Sequence, residues 1–203
     1  MVRKVKNRKA IAITGGIGCG QSTLAAFFRE DGAEIIDADK IGHDLLSHDE
    51  GVKEQILHLF GQEVMNDQGQ IDRCKLGKMV FRNAALLEKF NYIVHPRLIA
   101  RTIEQFEGLR QRRQTPFIGI DAALIYEWQM EHLFDLIICV SASKNVRLAR
   151  LQERSKLSLE EIEMRLRGQL PLAEKEAWAD AVIPNGGTVD DLRESYLLLK
   201  EYL

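Results

Sequence analysis

The sequence predicts an α/β domain, doubly wound around a mainly five-stranded parallel sheet. Three observations carry that expectation. The apolar run at residues 10–13 gives way to four glycines within six residues (Gly15, Gly16, Gly18 and Gly20), and then to Leu24, Ala25, Phe27 and Phe28 at helical spacing. Short apolar runs of strand length alternate with helical patterns along the 203 residues, as crossover-connected parallel strands require. A long helical stretch separates the second run from the third, so the alternation carries an insertion.

The elements follow in order. The basic residues 1–9 read as a solvated tail entering the first strand, without the h-region and cleavage site of a signal peptide. Ile35 and Ile36 form a short second strand running into Asp37 and Asp39. If strand geometry persists, these carboxylates face the same way, toward the crevice at the carboxyl ends of an open sheet. Alternatively, Asp39 caps a helix over residues 40–46. Residues 52–60 form an amphipathic helix stopped near Gly61, residues 66–69 a turn, and Asp72 caps a helix through Leu76, Met79, Val80 and Phe81. Residues 84–106 are helical but interrupted at His95-Pro96, since proline removes a helical hydrogen bond and restricts the residue before it. His95 is then a local hydrogen-bonder at a kink or junction. Residues 108–115 read as a polar, basic surface loop.

Residues 116–121 form a buried strand ending in Asp121, a placement suited to holding Mg²⁺ directly or through water. Residues 133–140 make the fourth strand, and residues 179–185 the fifth, before a final helix from Val189 to about Tyr202. Between them residues 143–166 are helical, with Arg147, Arg150 and Arg154 on one face. Such a face is either a solvated charged surface or a lid that brings arginines onto a phosphate.

The formal net charge of −2 gives no electrostatic case for general nucleic-acid binding. No apolar run reaches the roughly 18 residues that span a membrane. Cys19, Cys74 and Cys139 have no metal-ligand spacing, which suggests reduced thiols in a cytoplasmic protein. Cys19 lies near a helix start that would lower its pKa, although a small residue fitting a tight turn is the plainer reading. The expected partner is a small molecule, and the expected state a monomer or weak homo-oligomer.

The spacing from Gly15 to Ser22 is that of the Walker A loop, Gly-x-x-x-x-Gly-Lys-Ser/Thr, with Gln21 at the lysine position. Glycines let backbone N–H groups curl inward, and the helix N-terminus adds donors and partial positive charge. Gly15, Gly16, Ile17, Gly18, Cys19, Gly20, Gln21, Ser22 and Thr23 are thus the candidate ATP-phosphate cradle, with the Ser22 hydroxyl as a candidate Mg²⁺ ligand. Gln21 retains a hydrogen-bond donor but brings no charge.

Beyond that loop, Thr14-Gly-Gly-Ile-Gly-Cys-Gly, Ile36-Asp-Ala-Asp39, His95-Pro96, Gln169-Leu-Pro-Leu-Ala-Glu-Lys and Ala179-Asp-Ala-Val-Ile-Pro-Asn185 stand in the order and spacing of dephospho-coenzyme A kinases. The chain resembles that family over nearly its whole length. The resemblance implies a P-loop NTPase-like fold and transfer of a phosphoryl group from ATP to the ribose 3′-hydroxyl of dephospho-coenzyme A. By the same resemblance Asp39 is the general base, Arg150 the lid arginine on the transferring group, and Asn185 a neighbour of the adenine. Thr14, Asp37, Arg73, His95, Asp121 and Tyr126 are implied on the acceptor side. The implied layout is a nucleotide core (9–60, 114–148 and 177–203), a helical acceptor-binding insertion (about 61–113) and a helical lid (about 149–176). Ala123 departs from a proline of the family's acceptor motif, and Pro184 from an acidic residue. Gln21 departs most, and leaves an alternative: a catalytically impaired nucleotide- or coenzyme A-binding member, by natural or engineered change.

Overall fold

The computed structural model describes residues 9–81, 83–112, 115–155 and 158–203. Its sheet has the order β2-β3-β1-β4-β5, with β1 (Lys9–Gly15), β2 (Glu34–Asp37), β3 (Phe117–Asp121), β4 (Leu136–Ser141) and β5 (Ala181–Pro184). Every pairing is parallel, as expected. β1 is buried from end to end, as a central strand covered on both faces must be. Ile13 stands opposite Asp121 on one side and Ile138 on the other, and Asp37 stands opposite Asp121. The carboxyl ends therefore share one edge of the sheet.

The helices are α1 (Gln21–Glu30), α2 (Ala38–His48), α3 (Glu50–Phe60), α4 (Arg73–Val80), α5 (Ala84–Arg112), α6 (Lys144–Arg154), α7 (Leu159–Arg167), α8 (Leu172–Trp178) and α9 (Val189–Glu201). Among the described residues none is long and apolar enough to cross a membrane.

Two compact units emerge, Met1–Asp37 with Gln105–Leu203, and Ala38–Glu104. The first unit's core joins Ile11, Ile13, Ile138 and Val140 of the sheet to Leu24, Phe27 and Phe28 of α1 and Leu192 and Tyr196 of α9. Phe28 meets the Tyr196 ring edge-on at 4.9 Å between centroids. The Tyr196 hydroxyl donates to the Asp31 carboxylate, which also takes a hydrogen bond from Lys200 at 2.6 Å. Burial first, and that acceptor second, push the Tyr196 pKa up.

The second unit buries Ile41 and Leu45 of α2, Val52, Ile56 and Phe60 of α3, Leu76 and Val80 of α4, and Val94 and Leu98 of α5. These positions follow the helical period. Asp49 caps α3 by accepting from Val52 N–H at 3.0 Å, and pairs with Arg97 and Arg101 at 2.9 Å each. Asp72 caps α4, as expected, accepting from the N–H groups of Cys74 and Lys75.

Several boundaries differ from expectation. α2 begins at Ala38, so Asp39 lies inside its first turn, neither on a strand nor at the cap. α5 runs unbroken through Pro96 and carries His95 inside it; the bonds along the rest of a 29-residue helix outweigh the one that the proline removes. It also extends to Arg112, so residues 108–112 are helical, while residues 113–114 of the expected loop and residues 1–8 of the expected tail lie outside the described residues. The helical stretch after β4 is two helices, because Ser158 and Glu161 form a capping box that starts α7 anew. α8 takes up the end of the expected helical lid and runs on to Trp178. The helical unit begins at Ala38 rather than near residue 61: α2 and α3 fall within it, not with the sheet.

Candidate phosphate-binding site

The turn between β1 and α1 is built around glycine. Gly20 sits at φ 95°, in left-handed territory, and its carbonyl accepts from the N–H groups of Thr23 and Leu24 at 3.1 and 3.2 Å. A side chain there would strike the Asn185 amide. The first-turn N–H groups of Gln21 and Ser22 have no acceptor within the helix, which makes them donors for an anion. Ser22 is exposed, and Gln21 is 9% exposed with its Nε2 lacking a hydrogen-bond partner.

Side chains from distant parts of the chain hold this turn. Gln169 accepts from Ile17 N–H at 3.0 Å. Arg147 Nε donates to the Ile17 carbonyl at 2.9 Å. Asn185 Nδ2 donates to the Cys19 carbonyl at 2.8 Å, while the Asn185 N–H bonds Ser141 at the end of β4 at 2.6 Å. Arg150 donates to the carbonyl and side-chain oxygens of Asn185 at 2.9 and 3.3 Å and to the Gly187 carbonyl at 3.0 Å. The arginine face of α6 is therefore divided: Arg147 grips the glycine turn, Arg150 grips the loop after β5, and Arg154 is exposed.

Burial pushes the Cys19 thiol up, outweighing the nearby guanidinium groups of Arg147 and Arg150, which pull it down. The thiol is fully buried, which bears out the plainer reading of a small residue in a tight turn rather than an activated one.

Asp37 and Asp121 end adjacent strands on the edge that carries the glycine turn, and Asp121 is 7% exposed. Their carboxylates and the Ser22 hydroxyl at the start of α1 are oxygen donors, the kind that Mg²⁺ takes. No cluster of three or more His, Cys, Asp or Glu able to hold a metal occurs among the described residues, so phosphate oxygens and water would complete such a site.

Thr14 is fully buried, and its hydroxyl donates to the Ala123 carbonyl at 3.3 Å. That carbonyl also accepts from Lys175, which pairs with Glu127 at 2.7 Å and is itself fully buried. Tyr126 lies elsewhere. It packs edge-on against Trp178 at 5.3 Å and lines a cleft with Asp135 and Asp180, which precede β4 and β5. That is the amino edge of the sheet, so the structure does not bring Tyr126 to the glycine turn. Burial pushes its phenol up to about 12. Asp39, Arg73 and His95 belong to the second unit. Asp39 is exposed in the first turn of α2, Arg73 opens α4 with its guanidinium 2.6 Å from His43 Nε2, and His95 lies within α5.

Gln169 holds the loop yet has no site role on the sequence reading, and Arg147 has only a share in the lid role open to the whole arginine face. Gln169 stood inside a quoted motif and Arg147 on the arginine face; neither position shows from spacing alone that it reaches Ile17.

The family described as dephospho-CoA kinase (CoaE) matches residues 9–191. A dephospho-CoA kinase of Carboxydothermus hydrogenoformans is 36% identical over 93% of this chain and 91% of its own length. One from Geobacillus kaustophilus is 37% identical over 95% and 96%. A crystal structure from Thermus thermophilus superposes with a TM-score of 0.74 at 30% identity, covering 98% of this chain and 99% of that one. A dephospho-CoA kinase from Campylobacter jejuni gives 0.64 at 29% identity, covering 95% of each chain. With its glycine turn, parallel sheet and near full-length similarity, this chain belongs to the dephospho-CoA kinase family.

Proposed function

We propose that the chain transfers the γ-phosphoryl group of ATP to the ribose 3′-hydroxyl of dephospho-coenzyme A, giving coenzyme A and ADP. The observation that carries this reading is the glycine turn between β1 and α1, with unsatisfied donors at the helix start, in a chain of this family. Phosphoryl transfer asks for positioned phosphates, charge stabilisation and an oriented hydroxyl, with little covalent chemistry from the protein.

The backbone N–H groups at the start of α1 bind the phosphate chain, and Asn185, pinned to both the turn and β4, sits beside the nucleotide base. Ser22 and Asp121 would hold Mg²⁺, with Asp37 beside them. When bound there the ion neutralises phosphate charge. Asp39 takes the proton of the acceptor hydroxyl, a role assigned from its motif position. The transfer role of Arg150 requires its guanidinium to exchange Asn185 and Gly187 oxygens for phosphate oxygens. Residues 149–176 then act as the lid and the helices of 38–104 as the acceptor side. Three unpaired cysteines, with Cys19 and Cys139 buried, fit a reducing, cytoplasmic setting.

The test is coenzyme A formation, followed by mass, from ATP, Mg²⁺ and dephospho-coenzyme A, beside a control without acceptor. Acceptor-dependent product is expected. Absence of product from folded, ATP-binding protein would defeat the kinase reading. Asp39→Asn is expected to abolish transfer and leave ATP binding intact, whereas Arg150→Ala is expected to lower kcat far more than it raises KM for the acceptor.

A further inference from the structure

The glycine turn lacks the cation that its spacing calls for at position 21, yet a cation lies against it. Arg147 approaches from α6, and its Nε is held by the Ile17 carbonyl at 2.9 Å. A Cβ added at Gly16 would lie 2.5 Å from Nη2, 2.7 Å from Cζ and 3.1 Å from Nη1. The guanidinium thus rests against the Gly16 α-carbon, in space that only a glycine leaves open. Nε is fixed, while Nη1 and Nη2 have no hydrogen-bond acceptor and no carboxylate partner among the described residues. The Gln21 Nε2 is also buried without a partner, in a side chain more than nine-tenths buried. Two sets of unused donors, one of them cationic, therefore border a single turn whose free backbone N–H groups already suit an anion.

We infer that Arg147 is the phosphate-binding cation of this loop, taking over from α6 the charge that Gln21 does not provide. The guanidinium offers a planar pair of donors to phosphate oxygens, and the Ile17 carbonyl fixes its orientation before the ligand arrives. Gln21 contributes a neutral donor beside it. The identity of the nucleotide rests on the kinase reading above; the binding role does not require that transfer take place.

Calorimetry would measure ATP, tripolyphosphate and adenosine binding, with Mg²⁺, to the unmodified protein, Arg147→Gln, Gln21→Lys and the double variant. Loss of a charged hydrogen-bond pair predicts about 10–100-fold weaker ATP binding for Arg147→Gln. Tripolyphosphate should weaken in parallel and adenosine stay unchanged. Gln21→Lys in the Arg147→Gln background should recover most of the loss, because it returns the charge to the loop. A role confined to holding Ile17 would weaken adenosine too and would not be rescued by lysine at position 21; either result overturns the inference, as does unchanged ATP affinity in Arg147→Gln.

Should Arg147→Gln fail to fold, phenylglyoxal labelling of the unmodified protein decides the matter. Tripolyphosphate is expected to protect Arg147, and labelling that it leaves unchanged overturns the role. A protein that makes no coenzyme A, yet loses ATP through Arg147→Gln, would defeat the kinase reading and leave this inference standing.

Discussion

The glycine turn and the helical unit of residues 38–104 secure their polar side chains in opposite ways. The turn closes on itself through Cys19 N–H to the Gly16 carbonyl and the two bonds to Gly20, which leaves other backbone groups to outside partners. It is held by Gln169, Arg147 and Asn185, which lie 152, 130 and 166 residues away from the groups they bond. In the helical unit the cap residues bond neighbours two or three positions on: Asp72 to Cys74 and Lys75, Asp49 to Val52. Arg97 and Arg101 add a longer link to Asp49 from successive turns of α5. A helix carries its side chains into place by its own period, whereas an irregular turn keeps its shape only if something outside it fills its backbone hydrogen bonds. Damage to the first unit should therefore spread from distant residues into nucleotide binding, while damage to the second should stay local.

The largest effect is expected at Glu127→Ala. It leaves the fully buried Lys175 amine with only the Ala123 carbonyl, and removes the acceptor of Leu170 N–H, beside the segment carrying Gln169. A loss of about 3–5 kcal/mol in unfolding free energy is expected from denaturant titration. A loss below 1 kcal/mol, roughly the range of a surface pair, would break the contrast.

Asn185→Ala removes the side-chain bonds to Cys19 and Arg150 in a residue 6% exposed, and keeps the bond from Arg150 to the backbone carbonyl. Stability should fall by about 1–3 kcal/mol and ATP affinity should fall with it. If stability drops while ATP binds as before, the long-range contact does not shape the turn. Asp49→Ala removes a helix cap and two partly exposed ion pairs, a loss of about 1–2 kcal/mol. Here ATP affinity, read by calorimetry, should not change.

The smallest effect is a pH dependence. The Lys200 hydrogen bond, followed by the Tyr196 hydroxyl, holds the Asp31 carboxyl below the usual carboxylate range. Its folded pKa is depressed, so the stability it contributes is present above the ordinary carboxylate range and is lost as pH falls through the lowered value. Asp72 behaves alike, through the N–H groups of Lys75 first and Cys74. Asp31→Asn should flatten the acid limb of the stability curve, and Asp72→Asn should do the same through a purely local cap. An acid limb unchanged in both variants would show that neither partner set matters in solution.

Much of this was legible beforehand. The strand, the glycines and Ser22 declare a phosphate turn because each has a local backbone reason to be there, and Asp72 declares its cap for the same reason. Pro96 misled, since a single proline argues for a break and α5 absorbs it within 29 residues. Asp39 misled at the level of geometry: a period-2 pattern of carboxylates turned out to straddle the end of β2 and the first turn of α2. Tyr126 falls in the sequence just past a strand whose carboxyl end faces the turn, yet the chain after Asp121 carries it to the other edge of the sheet, against Trp178.

By itself, then, the sequence determined the parallel sheet, the order of its helical crossovers, the phosphate turn and the missing charge at position 21. These follow from periodicity and from backbone chemistry acting over a few residues. Only the tertiary structure decided which arginine of α6 meets the turn, that Arg150 is engaged with Asn185, and that Gln169 and Lys175 face inward. Such contacts join residues more than 30 positions apart, and their geometry depends on how helices pack on a sheet, which no local pattern encodes.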